Sequence, residues 1–473
     1  MKRILSYFLL LAALNFAVMQ LYAQSTSKWR TMHKVKKKET LFGIANMYDL
    51  TIEELINANP EMKIQGYELK KGDFICIPFA KGEQPDSVAN ESAADDDSVT
   101  DGAVSGTGSA KVSGRFAAAT PVQQRAINLG VMLPLHDING DGRRMVEYYR
   151  GVLMACDSLK RQGISVNVHA WNTAEDSDIS QVLREEAAQQ CDVIIGPLYS
   201  KQMPALSEFV TQHDILLVIP FSINAPQLFN NGNIFQIYQS QSSFNETAIS
   251  RFVERFQDAH PVVIDCNDTT SNKGDFTFRL RRSLESKGVL YSITNLKSTE
   301  STFAKAFSHD KQNVVVLNTG RSQELNIAMA KLNTLTMSNP ELKVSLFGYA
   351  DWLGFTRYQL ENFYKYDTYL PTPYYMNPLS SQTTRFEQRY RTNFHADMMA
   401  TTQRFAAAGF DHAFFFLKGL HKYGKTFNGA AGMFGYQPIQ TPLRFERIGN
   451  GGFQNRTQLL VHYKPEHKIE VIQ

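Results

Sequence analysis

The sequence predicts a small βααβ module, then a linker, then a two-lobed α/β body. Three observations carry that prediction. Residues 33–79 hold a strand, two capped helices and a second strand. Residues 80–126 lose almost all large apolar side chains. Beyond residue 127, apolar strands alternate with amphipathic helices in two successive sets, the pattern of parallel sheets covered on both faces.

In the module, Thr40 is placed to cap a helix whose Leu41, Ile44, Ala45 and Tyr48 share one face. Thr51 and Glu54 have the spacing of a capping box for a second helix, carrying Ile52, Leu55 and Ile56. Asn59-Pro60 stops that helix, Lys71-Gly72-Asp73 makes a turn, and Phe74-Ile75-Cys76-Ile77 is a β-prone run able to pair with the strand around Val35.

These landmarks resemble the LysM family, βααβ modules that recognise N-acetylglucosamine-containing polymers such as peptidoglycan or chitin. The family's Gly-Asp-Thr-Leu turn is here Lys38-Glu39-Thr40-Leu41, so a glycine is lost and the acid is one carbon longer. The resemblance implies a sugar groove formed by Glu39, Thr40, Leu41 and Phe42 on one side and Asn59, Pro60, Met62 and Ile64 on the other. Apolar contact for N-acetyl groups and backbone partners for amides are what such a ligand needs. The competing expectation is that these apolar residues only close a very small core.

Lys2-Arg3, an apolar run over 4–18 and Leu21-Tyr22-Ala23 have the layout of a secretory leader, with cleavage expected after Ala23 and residues 24–32 a short lead into the module. The run is short for a membrane span and no cysteine follows it to accept a lipid. The expected location is therefore periplasmic, against the cell wall, with no membrane span after cleavage. The formal charge is +3, two of which leave with the leader. That balance argues against a nucleic-acid partner.

The 80–126 segment cannot bury enough surface to fold. As a flexible chain of about 45 residues it spans roughly 35 to 40 Å, and seven acids without a base over 83–101 extend it further. Asp86-Ser87-Val88 and Asp97-Ser98-Val99 resemble the acceptor motif of a bacterial O-glycosylation system, which implies glycans on Ser87 and Ser98.

In the body, strands are expected at 127–133, 166–171, 192–196, 215–220 and 234–238, with helices such as 145–162 and 200–212. A second set follows at 262–266, 289–293, 313–318 and 344–347, and strands at 442–448, 459–463 and 469–472 read as a terminal hairpin extension. Residues 191–224, with Gly196-Pro197-Leu198 and Pro220-Phe221-Ser222 ending two strands, resemble the type I periplasmic binding-protein fold of amino-acid receptors; the late Gly409-Phe410-Asp411 helix fits as well. That fold binds small ligands between its lobes at strand carboxyl ends, which points to Ser200, Lys201, Ser222 and Asn224. A bulky Phe221 and a Lys201 stand where amino-acid receptors keep small hydroxylated residues, and this counts against plain amino-acid binding. Lys201 is read either as attracting a small anionic ligand or as a solvated helix-start residue. The Gly-Pro-Leu form also resembles the binding-protein-like domain of outer-membrane activators of peptidoglycan synthases, which implies a cell-wall synthesis protein as an alternative partner.

Several patterns point away from chemistry. Asp137-Ile-Asn139-Gly-Asp141-Gly142 imitates a calcium loop but lacks the acid at its twelfth position, so no metal is expected. Among eleven histidines none forms a metalloprotease motif, and no nucleophile elbow, P-loop or cysteine-peptidase motif occurs. Neither an enzyme nor a cofactor is expected. Cys76, Cys156, Cys191 and Cys266 match no framework spacing. Cys156 and Cys266 read as buried free thiols, while alternation puts Cys76 on the exposed face of its strand. Tyr374-Tyr375 and Phe414-Phe415-Phe416 are expected on buried faces. Together these readings give a non-enzymatic wall protein that holds peptidoglycan through one module and senses a ligand, amino-acid-like or otherwise, or contacts a protein through the other.

Overall fold

The computed structural model describes residues 29–36, 39–48, 50–59, 62, 69, 74–78, 121–430, 435 and 437–473. The leader, Pro60, Ile64, Ser87, Ser98 and nearly all of the linker lie outside these residues. The chain divides into two units, the smaller formed by the N-terminal residues together with Asp268–Phe278 and the larger by the rest of the body.

In the N-terminal module, β1 (Trp29–Lys34) pairs antiparallel with β2 (Phe74–Pro78), His33 opposite Ile75. Thr40 caps helix Leu41–Met47 by accepting the Gly43 N–H at 3.1 Å. Thr51 and Glu54 close a full capping box on helix Ile52–Ala58, satisfying two otherwise orphaned donors. Val35, Ile44, Ala45, Leu50, Leu55, Ile75 and Ile77 form the core. Cys76 corrects the sequence expectation: it is buried at 3 % exposure. Ala58 and Phe278 pack on it, and the Asn59 amide bonds both its N–H and its carbonyl at the edge of β2.

The first lobe of the body is a seven-stranded sheet of order β13-β14-β7-β6-β5-β3-β4. Its strands are β3 (Ile127–Leu133), β4 (Val166–Asn172), β5 (Val193–Ile195), β6 (Leu216–Ile219), β7 (Ile234–Gln236), β13 (Phe445–Arg447) and β14 (Phe453–Asn455). Residues ahead of β3 already belong to the fold, because Arg125 pairs with Asp192 at 2.6 Å. On one face, helices Gly140–Lys160 and Phe405–Tyr423 pack over β3, β5 and β6 through Tyr148, Val152 and Phe416. These two helices touch backbone to backbone: a Cβ on Gly151 would lie 1.9 Å from the Ala406 carbonyl, and one on Gly409 2.0 Å from that of Tyr148. On the other face Met203, Leu206 and Val210 of helix Met203–Gln212 cover Ile194 and Leu217.

The second lobe is also seven-stranded, of order β16-β15-β12-β11-β10-β8-β9. It comprises β8 (His260–Asp265), β9 (Ser292–Asn295), β10 (Asn313–Leu317), β11 (Val344–Phe347), β12 (Thr368–Thr372), β15 (Leu459–Lys464) and β16 (Lys468–Ile472). Trp352 stacks on Phe363, which meets Tyr463, so an aromatic column fills the face behind β12 and β15.

The expected single terminal hairpin is in fact two. β13 and β14 join the first sheet beside β7, and β15 and β16 join the second beside β12. The chain therefore passes between lobes three times, at 237–240, 373–380 and 456–458.

Candidate functional site

Two places gather the residues that the sequence singled out. In the module, Glu39 Oε2 accepts the Lys36 N–H at 2.7 Å and lies 2.7 Å from His33 Nε2, while His33 Nδ1 is 2.9 Å from the Tyr48 hydroxyl. The Lys36 amide, then His33, holds the Glu39 carboxyl below its usual range. Glu39 thus links the Lys36 backbone to the His33 ring. Thr40 spends its oxygen on the helix cap, and Leu41 and Met62 lean on the core. Asn59 is buried, with its amide donating to the carbonyls of Leu55 and Cys76 and accepting from the Cys76 N–H. Among the described residues of this set, Phe42, 63 % exposed at the start of the first helix, is the apolar side chain left facing solvent.

In the body, the strand carboxyl ends bring Ser200 and Ser222 together, Oγ to Oγ 3.0 Å. Ser200 follows β5 through Gly196-Pro197-Leu198 and Ser222 follows β6 through Pro220-Phe221. Gly196 has φ +145°, and a Cβ there would meet the Met132 carbonyl at 2.2 Å, so the turn that aims Ser200 needs glycine. Ser222 is held in place by its own carbonyl, which accepts from Gln236, itself bonded by Gln454. Asn224 is exposed and donates its backbone N–H to Ser222 Oγ at 3.2 Å. Lys201 does not join the pair: it reaches the exposed Asp176 at 3.0 Å.

Phe221 turns inward and meets Tyr148, Tyr238, Phe405 and His412. His412 is fully buried, its Nδ1 2.9 Å from the Tyr148 hydroxyl, and burial pushes its pKa down to about 3, so it stays neutral. Asp411 beside it accepts three backbone N–H groups, from Ile439, Gln440 and Thr441. Arg144 pairs with Asp141 and Tyr199 donates to the same carboxylate. The loop read as a failed calcium site is in part a helix start: Asn139 caps helix Gly140–Lys160 by accepting the Gly142 N–H at 2.8 Å. The described residues contain no metal-ligand cluster. None of the four cysteines is joined in a disulfide; Cys156 is half-buried and the others are buried.

The tie between Phe221, Tyr238 and Phe405 escaped sequence reasoning, since the three come from distant segments without shared spacing. The only signal was Phe221 itself, an aromatic where a small residue was expected.

Comparison with known proteins matches residues 33–78 to the LysM domain and residues 127–437 to the periplasmic binding protein family. Among solved structures, a putative branched-chain amino acid ABC transporter from Rhodospirillum rubrum is 15 % identical, covers 74 % of this chain and all of its own, and superposes with a TM-score of 0.52. A branched-chain amino acid ABC transporter periplasmic ligand-binding protein from Burkholderia xenovorans LB400 is 16 % identical over 73 % of this chain and 94 % of its own, with a TM-score of 0.46. Among curated proteins none matches. The first of these structures shares the fold; no helix among the described residues is long and apolar enough to cross a membrane.

Proposed function

This chain belongs to the periplasmic binding protein family and carries a LysM domain, and from that premise we propose a non-enzymatic periplasmic protein that grips peptidoglycan glycan with its module and captures a small ligand between the lobes of its body. The observation that carries the second half is the Ser200–Ser222 hydroxyl pair at adjoining strand ends. Each hydroxyl has one donor and two acceptor sites; Ser222 also meets the Asn224 N–H and carbonyl, so the spare capacity of the pair lies on Ser200. Lys201 is matched by Asp176 and contributes no free charge to the pair. Tethering to the wall raises the local concentration of the body there without strengthening any of its own contacts.

For the module, Phe42 is the contact to test. Phe42→Ala in the full chain should lower recovery on purified peptidoglycan severalfold while leaving the melting temperature unchanged; retention equal to the parent chain removes the module as the anchor. For the body, a ligand that binds only the folded state raises the melting temperature, and Ser222→Ala should abolish that rise.

A second reading, contact with a cell-wall synthesis protein, is favoured by Ile138 and Ile223, 85 % and 57 % exposed on the loops after β3 and β6. Ile138→Asp with Ile223→Asp would then abolish crosslinking to that protein and leave any ligand-induced shift intact.

A further inference from the structure

Beside the serine pair four rings stand in unbroken contact. Phe405 meets Phe221 at 5.7 Å between centroids, Phe221 lies nearly parallel to Tyr238 at 6.1 Å and 20°, and Tyr238 meets Tyr374 edge-on at 6.5 Å. They come from four separate segments: the end of β6, the first crossing, the second crossing and the start of helix Phe405–Tyr423. The deep core treats its rings differently, burying Phe235, Phe416 and Phe445 almost completely. The four rings by the serines keep part of their surface accessible. Tyr374, expected from sequence on a buried face, is among them.

The charges beside Phe221 and Phe405 are already committed. Arg144 sits over Phe405 at 5.9 Å but is paired with Asp141, Asp411 is held by backbone amides, and His412 is neutral. Burial also raises the pKa of the Tyr238 and Tyr374 hydroxyls, which keeps both as neutral hydrogen-bonding groups. Gln403 donates to the Tyr238 hydroxyl at 2.5 Å and is itself half-buried. A row of ring faces bordered by uncharged hydroxyls and an amide suits a ligand with an apolar face and a polar rim. The negative face of an aromatic ring attracts the slightly positive C–H groups of a saturated ring, and hydroxyls at the edge of that ring need partners that both donate and accept, as serine does.

We propose that the ligand of this site is a neutral sugar ring, stacked on the Phe221–Tyr238 pair with the Tyr374 ring standing at its edge, and hydrogen-bonded at the Ser200–Ser222 pair. The proposal rests on the reading above that the body captures a small ligand. A free amino acid is the competing chemistry: Asp351 lies near enough to act on the Tyr374 hydroxyl and would suit an ammonium group.

Hydrogen exchange of the full chain, followed by mass spectrometry with N-acetylglucosamine, glucose, leucine or benzoate as separate probes, distinguishes them and separates the body from the module. A sugar should slow exchange in peptides spanning 219–240 and 370–377. Tyr374→Ala and Ser222→Ala should each weaken that protection about tenfold, the loss expected when one ring contact or one hydrogen bond is removed; the serine change keeps the core intact if the tyrosine change disturbs folding. Protection of those peptides by leucine or benzoate and not by the sugars overturns the sugar assignment but leaves a small-ligand site. Sugar protection confined to residues 39–58 also overturns it, and protection by none of the probes removes the small-ligand reading as well.

Discussion

The two lobes use sheets of equal strand number, yet their strands end in different chemistry. In the second lobe the carboxyl ends close on themselves: Asp265 accepts from Asn318 at 2.9 Å and from Asn295 at 3.1 Å, Asn267 donates to Asn295 at 2.7 Å, and Asn318 accepts the Cys266 N–H at 2.8 Å. In the first lobe the ends of β5 and β6 present two serines bonded to each other and a row of half-buried rings. The polar groups of one lobe are spent on its own architecture, while those of the other keep capacity for a guest. Similar folds can thus divide rigidity and recognition between their halves.

The largest effect that tests this division is Gly151→Val. Its side chain has only the Ala406 backbone to occupy, so a loss on the order of 4 kcal/mol is expected in denaturant titration. Exchange should rise in first-lobe peptides before those of β8 to β11; simultaneous opening of both would show that the lobes do not act separately.

Next comes Asp265→Ala, which takes a charged acceptor from the half-buried amides of Asn295 and Asn318. A cost of about 2 kcal/mol is expected from the lost hydrogen bonds to a carboxylate, against well under 1 kcal/mol for Ser222→Ala, as for other changes away from packed or buried networks. Equal costs would abolish the contrast between a structural end and a receptive one.

Acid provides a smaller test with opposite signs. Glu147 in the first lobe is buried, and desolvation raises its carboxyl above the ordinary 4.5 despite the Met399 and Ala406 amides. Its charge therefore costs stability above the folded pKa, and protonation relieves that cost as pH falls through the folded pKa toward 4.5. Asp367 in the second lobe feels the same desolvation, but the His462 imidazole at 2.6 Å and the Ser345 hydroxyl outweigh it, and its pKa falls below 3.8. Its contribution is present above 3.8 and is lost as pH drops through the lower folded value. Exchange measured down a pH series should show the first lobe tightening just above pH 4.5 and the second loosening below 3.8. Glu147→Gln should remove the first trend alone.

Least of all should come from Lys201→Ala. An ion pair with an exposed Asp176 adds little in water, so both melting temperature and ligand response should match the parent chain.

Much of this architecture is readable from the residues. Apolar runs mark β3, β6 and β10, interrupted only by Asn128 in β3 and Asn313 at the start of β10, because strands buried on both faces need no alternation. β12 is not readable, since Pro371 argues against a central strand. The sheet tolerates it because the parallel register with β11 stops at Phe347 opposite Tyr369, so on that side no partner asks Pro371 for an N–H. β14, three residues long, gains its place only from β7 and β13. At the site, Ser200 and Ser222 follow from strand order alone. The aromatic row does not, because Phe221, Tyr238, Tyr374 and Phe405 meet only once two crossings have been folded. Cys76 misled the alternation rule because Ala58 and Phe278 cover the face that a two-stranded sheet would otherwise expose.

The stretch from Phe445 onward, which supplies strands to both sheets, also sets a schedule. A chain delivered from its N-terminal end has β7 and β12 as bare edges until that stretch arrives. Neither half can lock early, and both remain open to wrong pairing with other chains during the wait. Completion is then shared: one late segment finishes two sheets, so premature termination anywhere before it leaves no half of the body whole.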